Sequence, residues 1–200
     1  MKKVAVLVSG GGTNLQALLD RGIRGGEIVR VVSSKEGAYA LERARAAGIQ
    51  TVTVPRKLMS RDEFEEGLML ALEGVDLVVL AGFLCVLSKG LVERFENRMI
   101  NVHPALIPSF CGDGFYGLKV HEAALAKGVK LTGATVHFVT AETDAGPIIA
   151  QKAVTVREDD TPETLQRRVM EQAEWELLPE ACSLFCEGRL EVRDGRVFVR

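Results

Sequence analysis

The chain has 200 residues, with 25 Lys+Arg against 27 Asp+Glu and a formal net charge of −2. Apolar residues make up 47% and charged residues 26%, which excludes disorder and collagen-like repeats and is the length of one domain. The slight acidic surplus argues against nucleic acid as the main partner, and no apolar run approaches the ~20 residues of a membrane helix.

The chain enters a strand-like run directly after Met1-Lys2-Lys3, without a cleavage-site pattern, which predicts a cytoplasmic location. Cys85, Cys111, Cys182 and Cys186 are irregularly spaced and are read as reduced thiols. Cys182 and Cys186 stand one helical turn apart but lack a second pair at ligand spacing, so no metal is expected.

A β-branched run over residues 3–8 ends at Ser9-Gly10-Gly11-Gly12, and Thr13 opens a helix with Gln16 at capping-box spacing. Strands are predicted at 28–33, 51–54, 77–81 and 99–103, with helices at 38–47 and 60–73 and a short one capped by Ser88. This alternation predicts a Rossmann-like α/β fold, an open and mostly parallel sheet flanked by helices. After a Gly-rich segment at 104–117 come a helix near 118–127 and two strands, 131–139 and 148–156, read as an antiparallel addition. Pro162 begins the longest helix, with Leu165, Val169, Ala173 and Leu177 as its apolar stripe. Pro179 should kink or split it, Trp175 is assigned to the core, and the last residues form a hairpin around Asp194-Gly195. A single domain is expected, in two halves (1–103 and 104–187) followed by the terminal hairpin (188–200).

Three places carry candidate chemistry. Ser9-Gly10-Gly11-Gly12-Thr13-Asn14 is neither a dinucleotide fingerprint nor a Walker A loop, and reads either as a phosphate cradle or as a tight β–α turn. Asn101 and His103 share one face at the carboxyl end of a parallel strand, where open α/β sheets bind ligands; a buried polar pair is the plainer reading. Asp144 lies in a turn and is either turn chemistry or, if the turn folds back, the partner of His103. His137 is read as structural, and His121 carries no signal.

Segments 9–16, 80–83, 101–108, 133–139 and 144–149, in that order, resemble the folate-dependent formyltransferases, and among them the glycinamide ribonucleotide transformylases (phosphoribosylglycinamide formyltransferases). The resemblance covers about residues 2–185. It implies formyl transfer from 10-formyltetrahydrofolate to the amine of glycinamide ribonucleotide in purine biosynthesis, without a metal. Asn101 would hold the formyl oxygen and His103 would stabilise the oxyanion and shuttle protons. Asp144 would raise the His103 pKa and, through water, help collect the amine proton. Gly12, Thr13 and Asn14 would cradle the phosphate, and Glu174 would bind the ribose or amino end. The pterin would lie along Leu84, Cys85, Val86 and Leu87 and against Val139, Thr140 and Ala141, with Arg61 assisting. The protein would act on small molecules as a monomer or weak homodimer.

The chain departs from the family pattern in four ways. Cys85 stands where some members carry Arg, and Thr135 replaces a common Ser. Glu174 is followed by Trp175 and preceded by a spacing one residue longer than in some members. The segment 111–117 is longer than in some members. Other readings are a formyltransferase for a nucleotide-linked amino sugar or an aminoacyl-tRNA, a formyl-folate hydrolase, and a non-catalytic nucleotide-binding module.

Overall fold

The computed structural model describes residues 1–200. In chain order the elements are β1 (Lys2–Val8), α1 (Thr13–Arg21), β2 (Gly26–Ser33), α2 (Tyr39–Ala46), β3 (Gln50–Thr53), α3 (Arg61–Ala71), β4 (Leu77–Leu80) and α4 (Lys89–Arg94). There follow β5 (Met99–His103), α5 (Leu118–Lys127), β6 (Leu131–Phe138), β7 (Ile148–Thr155), α6 (Pro162–Val169), α7 (Trp175–Cys186), β8 (Leu190–Arg193) and β9 (Arg196–Val199). Seven strands form one sheet in the order β3-β2-β1-β4-β5-β6-β7, and β8 pairs with β9 alone. The first five strands are mutually parallel; β6 runs antiparallel to β5, and β7 antiparallel to β6. The expected Rossmann-like sheet with antiparallel additions is the observed one.

The central strands show why the sheet is covered on both faces. Val4, Val6 and Val8 of β1 enter one apolar cluster, with α1, α2 and α7 residues such as Leu15, Leu41 and Leu178. Ala5 and Leu7 enter the other, against Phe64, Leu68 and Leu91 of α3 and α4. The period-2 alternation of a strand thus feeds two cores. Each fully buried Leu contributes roughly 1.5–3 kcal/mol of transfer free energy. A third cluster, including Leu165, Val169 and Ala173, seats α6 against β6 and β7.

Three local expectations are corrected. Thr13 and Gln16 form no capping box: the N-cap is Gly12, left-handed at φ 72, and it has no side chain with which to cap. Gln16 instead donates to Asp20 and accepts from Arg43. The long C-terminal helix does not break at Pro179, which lies inside α7. It changes pitch upstream, in a π turn over Met170–Glu174, where the N–H of Trp175 reaches back to the carbonyl of Met170. The i→i−5 bond accommodates one residue more than an α turn, in the stretch just before Glu174. The N–H that Pro179 lacks would have bonded Trp175, the first residue of α7, so the loss falls on its opening turn. Trp175 is only partly buried and so is not a core residue. The Ser60 and Ser88 caps form as their positions suggest, with a reciprocal Ser60–Glu63 box.

The β6–β7 pair has little room at Gly133. A Cβ there would stand 2.0 Å from the Lys152 carbonyl oxygen and 2.9 Å from Leu106. The Gly133→Ala variant should lose about 2–3 kcal/mol of unfolding free energy, checked by urea denaturation; an unchanged midpoint would show that β7 can move away freely.

Candidate active site

The chain runs outward from β1 to β3 and returns to β4 beside β1, which makes the β1/β4 seam the topological switch point. Ligands of open α/β sheets bind there, at the carboxyl ends of the strands. The glycine-rich loop leaves β1 at this seam and is tied to the loop after β4. Ser9 donates its N–H to the Gly82 carbonyl (3.1 Å), and its hydroxyl accepts from the N–H of Leu84 (2.9 Å) and contacts Ser34 Oγ (2.6 Å). A cleft of about 310 Å³ opens between Gly10–Asn14, Ala81 and Gly82 on one side and Gln166 and Met170 of the C-terminal helix on the other. A larger shallow groove between α1 and α2 contains none of the candidate catalytic side chains.

Gly12 is fixed by packing as well as by its left-handed backbone. A Cβ would meet Ala40 Cβ at 2.6 Å, so a side chain at this position would force the loop off α2 before reaching any ligand. Gly10 and Gly11 have open space where a Cβ would lie. The Arg43 guanidinium holds the loop from outside by donating to the Gly11 carbonyl (2.8 Å). Backbone N–H groups at the start of α1 have no intrahelical partner, and they offer an anion the dipole's positive end. Asn14 is buried, and its side chain donates to Glu174 Oε2 at 2.7 Å while its own Oδ1 has no partner. Burial pushes the Glu174 carboxyl up to about 7, partly offset by the Asn14 bond. The π turn delivers this carboxyl to α1.

Asn101, His103 and Asp144 come together. Asn101 and His103 leave the sheet on one face of β5, while Asp144 takes a left-handed conformation (φ 56) in the turn between β6 and β7, one of the few roles Asp fills readily. That turn folds back, so that Asp144 Oδ2 lies 3.5 Å from His103 Nδ1 and Oδ1 lies 3.6 Å from His137 Nε2. The Gly112 N–H donates to Asp144 Oδ2 at 3.0 Å. Burial acts to raise the Asp144 carboxyl, but His137, the Gly112 N–H and His103 together hold it below the ordinary carboxylate range.

Asp144 acts on His103 in the expected direction, but the net shift is downward. Asp144 and the Phe110 carbonyl do pull the imidazole upward, but burial outweighs them and leaves it below its ordinary value. His103 Nε2 lies 2.8 Å from the Phe110 carbonyl and takes the ring proton there. Nδ1 then faces the carboxylate, where a second proton is favoured.

Sequence reasoning missed four groups around this centre. His137, read as structural, faces both Asn101 and Asp144. His121 on α5 is fully buried, with neither ring nitrogen partnered, and burial followed by the proximity of His103 holds it down to about 4. The Phe110 carbonyl and the Gly112 N–H belong to backbone and left no side-chain signal. Cys111 between them has its thiol pushed up by burial and by Asp144. Thr135, opposite His103 on β6, donates to the Ala105 carbonyl and accepts from the Ile107 N–H, fixing the chain just after the catalytic strand.

The expected folate-side residues lie in the loops after β4 and β6. Leu84 and Val86 are exposed at 59% and 85%, which leaves apolar surface beside the switch point. Cys85, Leu87 and Val139 pack partly against the second core, and Thr140 and Ala141 are exposed. Val139 N–H donates to Met99, which places segment 139–141 beside β5. Arg61 is exposed on the first turn of α3, one turn ahead of Glu65, which accepts from Ser88. No group of three or more His, Cys, Asp or Glu side chains is arranged to hold a metal ion, and no helix is long and apolar enough to cross a membrane.

Comparison with known proteins agrees with this geometry. Residues 2–182 match the family model described as formyl transferase. The chain is 37% identical to phosphoribosylglycinamide formyltransferase of Haemophilus influenzae, over 100% of this chain and 94% of that protein. It is 45% identical to the trifunctional purine biosynthetic protein adenosine-3 of Gallus gallus over 96% of its own length, but spans only 19% of that protein. Glycinamide ribonucleotide transformylase 1 from Symbiobacterium toebii superposes with a TM-score of 0.91 at 45% identity, over 100% of this chain and 94% of that one. With a sheet, a site and a family match that coincide over residues 2–182, the chain belongs to the formyl transferase family.

Proposed function

We propose that this chain transfers the formyl group of 10-formyltetrahydrofolate to the amine of glycinamide ribonucleotide, a step of purine biosynthesis. The observation that carries the reading is the convergence of Asn101, His103 and Asp144, with His103 Nδ1 3.5 Å from Asp144, near a glycine-rich anion cradle.

Asn101 presents an amide N–H to the formyl oxygen, where negative charge develops as the amine attacks. His103, held below its ordinary pKa, is neutral at pH 7 and takes the proton that the amine sheds. Asp144 then stabilises the imidazolium and, through water, shares in collecting that proton. The tetrahedral intermediate collapses as the bond from the formyl carbon to the folate nitrogen breaks, and the collected proton passes to that nitrogen of the departing tetrahydrofolate. The developing oxyanion competes with the Phe110 carbonyl for His103 Nε2–H. Gly12, Thr13 and Asn14 bind the phosphate through backbone N–H groups, and Glu174 binds the ribose or amino end. The folate lies along Leu84, Cys85, Val86 and Leu87 and beside Val139, Thr140 and Ala141, with Arg61 at the margin.

Residues 1–103 form the phosphate-binding half and 104–187 the folate-side half, so the reaction centre stands at their seam, with 188–200 as a separate hairpin. We place the protein in the cytoplasm as a monomer or weak homodimer acting on small molecules.

The test is formyl transfer from 10-formyltetrahydrofolate with and without glycinamide ribonucleotide. Turnover that requires the ribonucleotide is expected; turnover without it would mark a hydrolase, and none would point to another amine acceptor. Asp144→Asn removes the charge that favours protonated His103. Turnover should fall by about two to three orders of magnitude, and the acid limb of the kcat/KM profile should move to lower pH, because the base is freed of its proton earlier. An unmoved limb would separate Asp144 from His103.

Glu174 titrates near 7 in the fold and near 4.5 when unfolded, so its contribution to stability is lost as pH rises through that window. Glu174→Gln should therefore remove this fall of stability between about pH 4.5 and 7 and gain on the order of 3 kcal/mol at pH 8, while raising the KM for the ribonucleotide. Parallel stability curves for the two proteins would show that the carboxyl is solvated.

A further inference from the structure

An asparagine that stabilises an oxyanion must present nitrogen, not oxygen, to the reacting carbonyl. The two ends of a carboxamide have nearly the same shape, so packing alone does not choose between them. In this fold the choice is made by His137. In the antiparallel β5–β6 ladder Asn101 and His137 stand directly opposite each other. His137 is 2% exposed, and its Nδ1 lies 2.8 Å from the carbonyl oxygen of Phe138. A carbonyl only accepts, so Nδ1 carries a hydrogen and donates. In the neutral ring Nε2 is then a bare lone pair, and it lies 3.2 Å from Asn101 Nδ2. Asp144 Oδ1 lies farther from the same nitrogen, at 3.6 Å; a proton on Nε2 would turn it to Asp144, whereas the neutral Nδ1–H tautomer turns it to Asn101. The lone pair accepts one of the two Nδ2 hydrogens; a flipped carboxamide would set oxygen against it.

We propose that His137 is a positioning residue that fixes the orientation of the Asn101 carboxamide, leaving the second Nδ2 hydrogen for the formyl oxygen. The Phe138 carbonyl sets the tautomer, the tautomer sets the amide, and the amide meets the substrate. This rests on the reading of Asn101 as the oxyanion donor.

The experiment compares His137→Asn and His137→Gln, alone and combined with Asn101→Ala, by steady-state kinetics and thermal unfolding. Asn places an amide nitrogen near the Nδ1 position and keeps the donor to Phe138, but it has nothing at Nε2. Gln places its terminal group near Nε2 and can accept from Asn101. His137→Asn should lower kcat by roughly 10–100-fold with little change in the ribonucleotide KM, and His137→Gln should recover most of that loss. In the Asn101→Ala background His137→Asn should cost nothing further. Equal losses for Asn and Gln, losses that multiply with that of Asn101→Ala, or an acid limb displaced as in Asp144→Asn would overturn the proposal and assign the ring to the core or to Asp144. If Asn101→Ala alone keeps full turnover, the oxyanion reading itself fails, which is a distinct result from additivity.

Discussion

The reversal of strand direction between β5 and β6 is the constraint on which the site depends. A sixth parallel strand would require a crossover and would bring a helix across the face of the sheet. An antiparallel β6 instead returns past β5 with Asn101 opposite His137 and His103 opposite Thr135. The turn before β7 leaves beside the amino end of β5, where the Val139 N–H bonds Met99, and it folds back along the strand to bring Asp144 onto the histidines. A slip of one residue in this register would send His137 to the other face of the sheet.

The fold class and most elements were legible because their signals are local and redundant. Residues 3–8 read as a strand from their β-branched run and 77–81 as a buried one from its apolar character, and Ser88 announced its helix through a cap. The misreadings have a common cause. The capping box at Thr13 failed because the left-handed Gly12 had already become the helix's N-cap, a backbone state that a spacing rule does not contain. The kink assigned to Pro179 was displaced because proline shows where a hydrogen bond is missing, not where the helix makes its adjustment.

The site was legible unevenly. Asn101, His103 and Asp144 could be named because side chains of rare type stood at strand ends and turns. What holds them was invisible: the Phe110 carbonyl, the Gly112 N–H and the Nε2 lone pair of His137 depend on how residues distant in sequence meet. The pull of Asp144 on His103 was foreseen, but the burial that outweighs it was not, since depth depends on the whole fold. Glu174 shows the cost of such depth, because a carboxyl near 7 is an ionisable group kept in a place where its charge is disfavoured.

The π turn at Met170–Glu174 bears on how chains of this kind are compared. It absorbs a single residue without rotating the helix before it relative to the helix after it, so Leu165 and Cys182 both keep their inward faces. Counting forward from Val169 and counting backward from Pro179 therefore give different equivalents for the residues between them. The two counts can be reconciled only by asking which carboxylate meets Asn14. In this stretch of chain, structural equivalence is defined by a contact and not by a position number.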